Sequence, residues 1–184
     1  MAIRAAIIAS VLAGSAGPGL AAITIIGSSP ARLCYEAADS SAMPTAESLS
    51  ACEHALSSGS LSFGDRVATH VNRGILRLRG RDVAAAIADF DAATALDPAA
   101  AEPYLNKGAA LVRLNDAAGA ARLFSLALER GPERPAIAHF GRAVALEALG
   151  NLRDAYRDYS RASELEPGWT DPQRELRRFQ VVPN

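Results

Sequence analysis

The sequence predicts an all-α protein in which helical hairpins stack into a solenoid. One pattern of small and aromatic residues occurs three times at constant spacing, and each copy contains two stretches of helical periodicity. A polar or glycine-containing break separates the two stretches in every copy. Hydrophobic residues make up 49% of the 184 residues and charged residues 21%, which is enough apolar material for a core. We therefore expect one compact domain with a short appendage.

The repeated pattern has a small residue, a second small residue 12 positions later, an aromatic residue 4 further on, and a third small residue 3 beyond it. The members are Gly74, Ala86, Phe90 and Ala93; Gly108, Ala120, Phe124 and Ala127; and Ala143, Ala155, Tyr159 and Ala162. Small residues allow the two helices of a hairpin to approach closely, and Pro98, Pro132 and Pro167 end the copies because proline cannot continue a helix. A single hairpin cannot bury its apolar stripe alone, so the copies are expected to stack.

These residues, with Asn72-Arg73-Gly74 and Asn106-Lys107-Gly108 in the first helices, resemble the tetratricopeptide repeat (TPR) family over about residues 67–169. The resemblance implies a right-handed α-solenoid of three TPR hairpins. It also implies a protein that binds another polypeptide and is not an enzyme. His70 and His139 stand where the family usually has a large aromatic residue, and we interpret both as isolated packing residues.

Both ends of the predicted solenoid carry caps, because an end hairpin would otherwise expose its stacking face. Residues 170–184 are predicted to form a capping helix and tail, with Thr170 as N-cap and with Leu176 and Phe179 on one face. Trp169 is expected to cover the last repeat. The predicted organisation is a signal peptide at 1–21, an arm and degenerate cap hairpin at 22–62, three repeats at 63–169, and the C-terminal cap at 170–184.

The two cysteines lie in the predicted cap hairpin, which comprises residues 31–38 and 45–56. Cys34 and Cys52 are equidistant from the middle of the connecting turn, and such residues face each other in an antiparallel hairpin. In an oxidising compartment they are a candidate disulfide, whereas in the cytosol they would be two buried thiols.

The N-terminus has the order of features found in a signal peptide. Arg4 supplies a positive charge, residues 5–12 are apolar, and small residues lead to a cleavage site near Ala21 or Ala22. The apolar run is too short and too broken by glycine and proline for a comfortable membrane span. We expect a periplasmic or secreted protein with no stable membrane insertion after cleavage; an uncleaved anchor is the alternative.

Residues for catalysis or cofactor binding do not converge in the sequence. The net charge of −1 gives no reason to expect nucleic acid as a partner. No glycine-rich phosphate loop follows a strand, and the histidines do not have the spacing of a zinc pair. We therefore predict no cofactor, no metal and no enzymatic activity.

The first helix of each copy would line the concave face that the TPR resemblance implies. Residues at −3, +1 and +4 from the small residue lie to one side of the helix, and the neighbouring Asn and Arg positions flank them. The candidate peptide-binding residues are Val71, Asn72, Ile75, Leu78, Arg79, Leu105, Asn106, Val112, Arg113 and Phe140. The asparagines could hydrogen-bond an extended ligand and the arginines could meet carboxylates. The alternative is that these residues pack between repeats.

The resemblance implies a scaffold that binds a protein or peptide segment in the concave groove, and the signal peptide places it in the cell envelope. The family's basic clamp for a C-terminal carboxylate is poorly matched, since Val71, Ile75, Ile137 and Gly141 stand where basic or polar residues are expected. The alternative function is a structural or self-associating envelope protein.

Overall fold

The computed structural model describes residues 29–40 and 42–179, and within these ranges every regular element is an α-helix. The helices are α1 (Ser29–Asp39), α2 (Ala46–Ser57), α3 (Phe63–Arg79), α4 (Val83–Leu96), α5 (Glu102–Arg113), α6 (Ala117–Arg130), α7 (Pro135–Ala148), α8 (Leu152–Leu165) and α9 (Thr170–Leu176). The predicted signal peptide, the arm before Ser29 and the tail after Phe179 lie outside the described residues.

The helices stack in chain order. The three sequence copies form the hairpins α3–α4, α5–α6 and α7–α8, and α1–α2 forms a further hairpin before them. Each second helix packs against the first helix of the next hairpin, and the first helices α1, α3, α5 and α7 contact one another in turn. The predicted all-α solenoid of helical hairpins is therefore confirmed.

The constant spacing of small and aromatic residues has a direct structural cause. A Cβ atom on Gly74 would lie 2.4 Å from the ring of Phe90, and one on Gly108 would lie 3.0 Å from the ring of Phe124. In copies one and two the aromatic ring of the second helix thus lies close to the backbone of its own first helix. The ring of Phe124 also comes within 2.4 Å of the Cβ position of Gly141 in the following copy. Glycine is needed at these positions for close approach, not for backbone freedom.

The turn inside each repeat is built the same way. Arg81, Asn115 and Gly150 take up positive φ angles of 66°, 60° and 79°. The next residue in each copy is an N-cap whose side chain accepts a hydrogen bond from the backbone N–H three residues later. These N-caps are Asp82, Asp116 and Asn151. The left-handed residue ends the first helix, and the cap starts the second in a fixed orientation.

The N-terminal hairpin brings the two cysteines together. The sulfur atoms of Cys34 in α1 and Cys52 in α2 are 2.10 Å apart, which is disulfide-bonding distance. Both residues are completely buried, and they belong to one hydrophobic cluster with Val71, Ile75 and Leu78 of α3. The cap hairpin is therefore packed directly on the first helix of the first repeat.

The C-terminal cap differs from the prediction at its start. The N-cap is Trp169, whose backbone is extended, and Thr170 is already helical. The side chain of Trp169 donates from Nε1 to Asp171 Oδ2 at 3.0 Å. The ring of Trp169 packs on Phe140 with a centroid distance of 4.7 Å, and Phe179 packs on Tyr159 at 5.9 Å. The aromatic side chains around α9 thus cover the last repeat. Across residues 29–40 and 42–179, the structure contains no helix with the length and apolarity of a membrane span.

Candidate functional site

Most of the candidate peptide-binding residues are sealed inside the stack. Six have no exposed surface at all, and Phe140 is only 7% exposed. The six are Val71, Asn72, Ile75, Leu78, Leu105 and Asn106. They lie at the contacts between neighbouring hairpins, so a partner could touch them only after a helix had moved. Packing between repeats, the alternative that the sequence left open, describes their position in this structure.

The two asparagines are therefore placed differently from a ligand-binding pair. Asn72 and Asn106 are buried on their first helices, and Asn106 Nδ2 donates to the carbonyl of Glu102 one turn earlier at 3.0 Å. Buried polar groups of this kind are normally hydrogen-bonded within the protein. Because both side chains are completely buried, an incoming polypeptide cannot reach either amide in this structure.

The two arginines cap helices in this structure. Arg79 Nη1 donates to the carbonyl oxygens of Ala37 and Ser40 at the end of α1, and Arg113 Nη1 donates to the carbonyl of Leu78 near the end of α3. The last carbonyls of a helix lack partners within it and carry partial negative charge, so a guanidinium is favourable there. Burial lowers the pKa of both arginines, although a guanidinium stays charged in a protein.

Accessible surface remains on the first helices of copies two and three. Ala109 and Val112 of α5 and Val144 and Glu147 of α7 are half-buried, and we call these four residues the open ridge. Their counterparts in copy one, Ile75 and Leu78, are completely buried in a cluster that includes Cys34 and Ala38 of α1. Of the ten candidate residues, Val112 is the apolar one that a partner can reach.

The open ridge ends at a carboxylate, Glu147, that already has hydrogen-bond and charge partners within the protein. Glu147 accepts hydrogen bonds from the hydroxyl of Tyr159 at 2.9 Å and from Nη2 of Arg178 at 2.7 Å. Burial, followed by the charge of Glu147, raises the pKa of Tyr159, so the phenol keeps its proton and donates. The apolar side chains, not Glu147, are therefore the chemically available part of the ridge.

The histidines are not isolated, contrary to the interpretation of His70 and His139 from the sequence. His70 Nδ1 lies 3.3 Å from Asp89 Oδ1, and His139 Nδ1 lies 2.8 Å from Asp158 Oδ1. Arg73 and Arg142 bind the same two aspartates at 2.7 Å, and Arg77 also binds Asp89 at 2.8 Å. Each cluster ties the first helix of its repeat to the second. A repeated signal was present in the sequence: both aspartates directly precede the aromatic residue, 16 positions after an arginine.

These aspartates are buried yet ionised. Burial raises the pKa of Asp89 and of Asp158, but hydrogen bonds and positive charges from the His and Arg partners outweigh it and hold both values below the usual range. The clusters are ion pairs within a repeat. In the described part of the chain, no three His, Cys, Asp or Glu side chains converge as metal ligands.

No protein-family profile matches the sequence, and no curated protein matches it. Solved structures do match. The first TPR domain of Spaghetti (RPAP3), bound to the HSP90 peptide SRMEEVD, is 27% identical with a TM-score of 0.58, and the match covers 61% of this chain and 88% of that one. The OM64 TPR domain of Arabidopsis is 22% identical with a TM-score of 0.60, over 64% of this chain and 96% of that one.

MamA is 18% identical with a TM-score of 0.60, and the match covers 71% of this chain and 73% of that one. The likeness to OM64 and MamA is a likeness of fold alone. Together with the stacked hairpins, these structures show that the chain has a TPR fold.

Proposed function

From this TPR fold we propose that the protein is a non-catalytic interaction module that binds a polypeptide segment on the open ridge. The observation that carries the proposal is the contrast between copies. Ala109, Val112 and Val144 keep accessible apolar surface on the first helices, whereas the equivalent surface of copy one is covered. Accessible apolar side chains on a pre-formed surface favour the capture of a partner's apolar side chains. No covalent step is involved.

The ligand we propose is recognised through apolar contacts, not through its carboxylates. The RPAP3 domain binds a peptide with three acidic residues, SRMEEVD. In this chain Val71 and Ile75, two of the positions where the family's clamp residues are expected, are apolar and buried. Arg79 and Arg113 donate to helix carbonyls and are occupied. A peptide with apolar anchors at short spacing suits the open ridge better than an acidic one.

We further propose that the protein works in the cell envelope after its signal peptide is removed. The charged, apolar and small-residue segments of 1–22 support export, and a cysteine pair at bonding distance suits an oxidising compartment. N-terminal sequencing of the protein from fractionated cells tests this. An envelope form that begins near Ala22 is expected; an intact Met1 in the cytosolic fraction would reject it.

Peptide selection against the purified protein tests the binding proposal. A displayed random-peptide library is selected on the wild type, and the winning peptides are then measured on Val112→Glu and Val144→Glu. Each change places a charge against apolar ligand groups and is expected to weaken binding by about tenfold or more. The control is Ala88→Glu, which adds the same charge on the exposed face of α4.

Two results would contradict the proposal. Equal loss of binding in Ala88→Glu would show that added negative charge matters and its position does not. If both ridge variants still bound the peptides as tightly as the wild type, the binding site would lie outside the open ridge. Sedimentation of the unliganded protein tests the alternative function, self-association. If the average molecular mass rises with protein concentration, and rises less in Val144→Glu, a second copy of the chain occupies the open ridge.

A further inference from the structure

The surface of copy one that matches the open ridge is covered by the cap hairpin. Val71, Ile75 and Leu78 of α3 are completely buried in one cluster with Cys34 and Ala38 of α1. At the positions equivalent to Ile75 and Leu78, copies two and three keep accessible surface. The cover is thus a local feature of the N-terminal end and not a property of every repeat.

The α1–α2 hairpin is held in place by a small set of contacts of its own, which can be lost while the rest of the stack stays folded. Helices α1 and α2 have 11 and 12 residues, and isolated helices of this length are marginal in water. The hairpin is held to itself by Cys34–Cys52 and to α3 by apolar packing and the bonds from Arg79 to the end of α1. A bond that closes a loop of 18 residues shifts the local unfolding equilibrium of the hairpin by a factor on the order of 100 in the chain-entropy account, and the hairpin opens by this local unfolding.

We propose that the Cys34–Cys52 disulfide is a latch that keeps the α1–α2 hairpin folded over a section of ligand surface formed by Ile75 and Leu78. In the dithiol protein the unfolded state of the hairpin is about 100-fold more populated. The uncovered residues then extend the open ridge from α5 onto the neighbouring helix α3. The inference rests on the proposed function, since it concerns the extent of the same binding surface.

The chemistry of the latch is an exchange with a disulfide-carrying oxidant. The thiolate of one cysteine attacks the oxidant's disulfide and forms a mixed disulfide with it. The thiolate of the other cysteine then displaces the oxidant, which leaves as a dithiol with the two electrons and two protons that the cysteines have lost. Both sulfurs are fully buried once the bond has formed, so an attacking thiol reaches them only after the hairpin opens. Closure is therefore far easier than reopening.

Thiol labelling of the full chain tests the latch without any ligand. A reporter cysteine replaces Ile75 in the disulfide-bonded protein and in a Cys34→Ser/Cys52→Ser background, and each is labelled with N-ethylmaleimide. We expect the Ile75→Cys reporter to react on the order of 100-fold faster in the serine background. The matched control is Val144→Cys, at the equivalent position of copy three, whose rate should be the same in both backgrounds.

Equal labelling rates of Ile75→Cys in the two backgrounds would overturn the latch. So would an equal acceleration of Val144→Cys, because the whole stack and not the hairpin would then have loosened. Hydrogen exchange on proteins without reporters guards against a reporter that disturbs folding. Amides of α1 and α2 should exchange faster in the serine variant while those of α7 and α8 do not, and unchanged α1–α2 exchange would also overturn the latch.

The selected peptide separates this inference from the proposed function. If the wild type binds peptide but the reporters show no difference, the latch is wrong and the binding module stands. If the reporters differ as expected but no peptide binds either form, the hairpin moves as inferred and the surface beneath it is not a ligand surface.

Discussion

Arg81 occupies the left-handed region of backbone conformation in the turn between α3 and α4, where the other copies have Asn115 and Gly150. A residue with a Cβ is strained there by about 1–2 kcal/mol, and asparagine tolerates the conformation better than most residues. All three residues have a positive φ angle, so comparing arginine with glycine at this position of the turn measures the free-energy cost of a side chain there.

We predict that Arg81→Gly raises the free energy of unfolding by about 0.5–1 kcal/mol, because glycine removes the strain at φ 66°. Gly150→Ala should lower it by a similar amount for the opposite reason. Urea denaturation of both variants checks the pair. A fall in stability for Arg81→Gly would mean that the arginine side chain contributes more than its backbone costs.

Asp89 and Asp158 are buried charges whose removal should lower the free energy of unfolding. We predict that Asp89→Asn lowers the free energy of unfolding at pH 7 by about 1.5–3 kcal/mol, since bonds to the charged partners Arg73 and Arg77 are weakened. Glu164→Gln is the control, because its pair with Arg161 is exposed and worth less than about 1 kcal/mol.

The same aspartates predict a pH dependence. Their folded-state pKa values are lowered, so the stability they contribute is present above the unfolded pKa of about 4 and is lost as pH falls through the folded values. The difference in the free energy of unfolding between wild type and Asp89→Asn should therefore become smaller at acidic pH. Denaturation series at neutral pH and near pH 3 measure it, and a constant difference would show that ionisation of Asp89 is not what stabilises the repeat.

Packing of one helix on another is decided by the rings that lie on glycine. Phe90 against Gly74, and Phe124 between Gly108 and Gly141, set the distance within a hairpin and between hairpins. In copy three Ala143 stands in place of the glycine and belongs to one buried cluster with Tyr159. Gly141 of this copy instead lies against Phe124 of copy two, although the TPR resemblance alone treats Gly141 as a missing clamp residue.

We predict that Gly74→Ala and Gly141→Ala each destabilise the protein by about 1–2 kcal/mol net. Alanine favours a helix by about 1 kcal/mol, but a Cβ at 2.4 Å from a buried ring forces overpacking that costs about 1–3 kcal/mol or more. Gly64→Ala is the control, because its Cβ would meet nothing within 4 Å. The melting temperatures of the three variants measure the effect. Equal melting temperatures would show that close contact between glycine and the aromatic ring does not decide the outcome.

At the scale of the whole molecule, the hairpins within residues 29–40 and 42–179 pack mainly on their neighbours in the chain, so damage at one end should stay at that end. Trp169 seals the C-terminal end by packing on Phe140. The cap hairpin and its cysteine pair seal the other end. The accessible ridge of α5 and α7 lies between these two seals.

We predict that Trp169→Ala lowers stability by about 1–2 kcal/mol through lost apolar burial. The effect should be local: amides of α7 and α8 should exchange faster, and those of α3 and α4 should not. Hydrogen exchange followed by mass spectrometry measures both regions in one experiment. Uniform acceleration along the chain would show that the stack unfolds as a single unit and that end caps act globally.

The intervals of 12, 4 and 3 between small residues and aromatics predicted closely packed helical hairpins, and their resemblance to the TPR family implied the solenoid. The sequence also made Cys34 and Cys52 a candidate pair, since residues equidistant from a hairpin turn can face each other, and the structure places their sulfur atoms 2.10 Å apart. Both are consequences of local periodicity, which the sequence carries directly.

The extent of the binding surface was decided by tertiary structure alone. Ile75 and Leu78 occupy the same register on their helix as Ala109 and Val112 do on theirs, and nothing in that register says which pair will be covered. Coverage depends on how far α1 reaches across α3, and on whether an arginine such as Arg79 turns to a neighbouring helix end or to solvent. Burial is set by contacts between segments distant in sequence, which is why helical periodicity identifies the ridge but only the assembled stack determines which part of it is open.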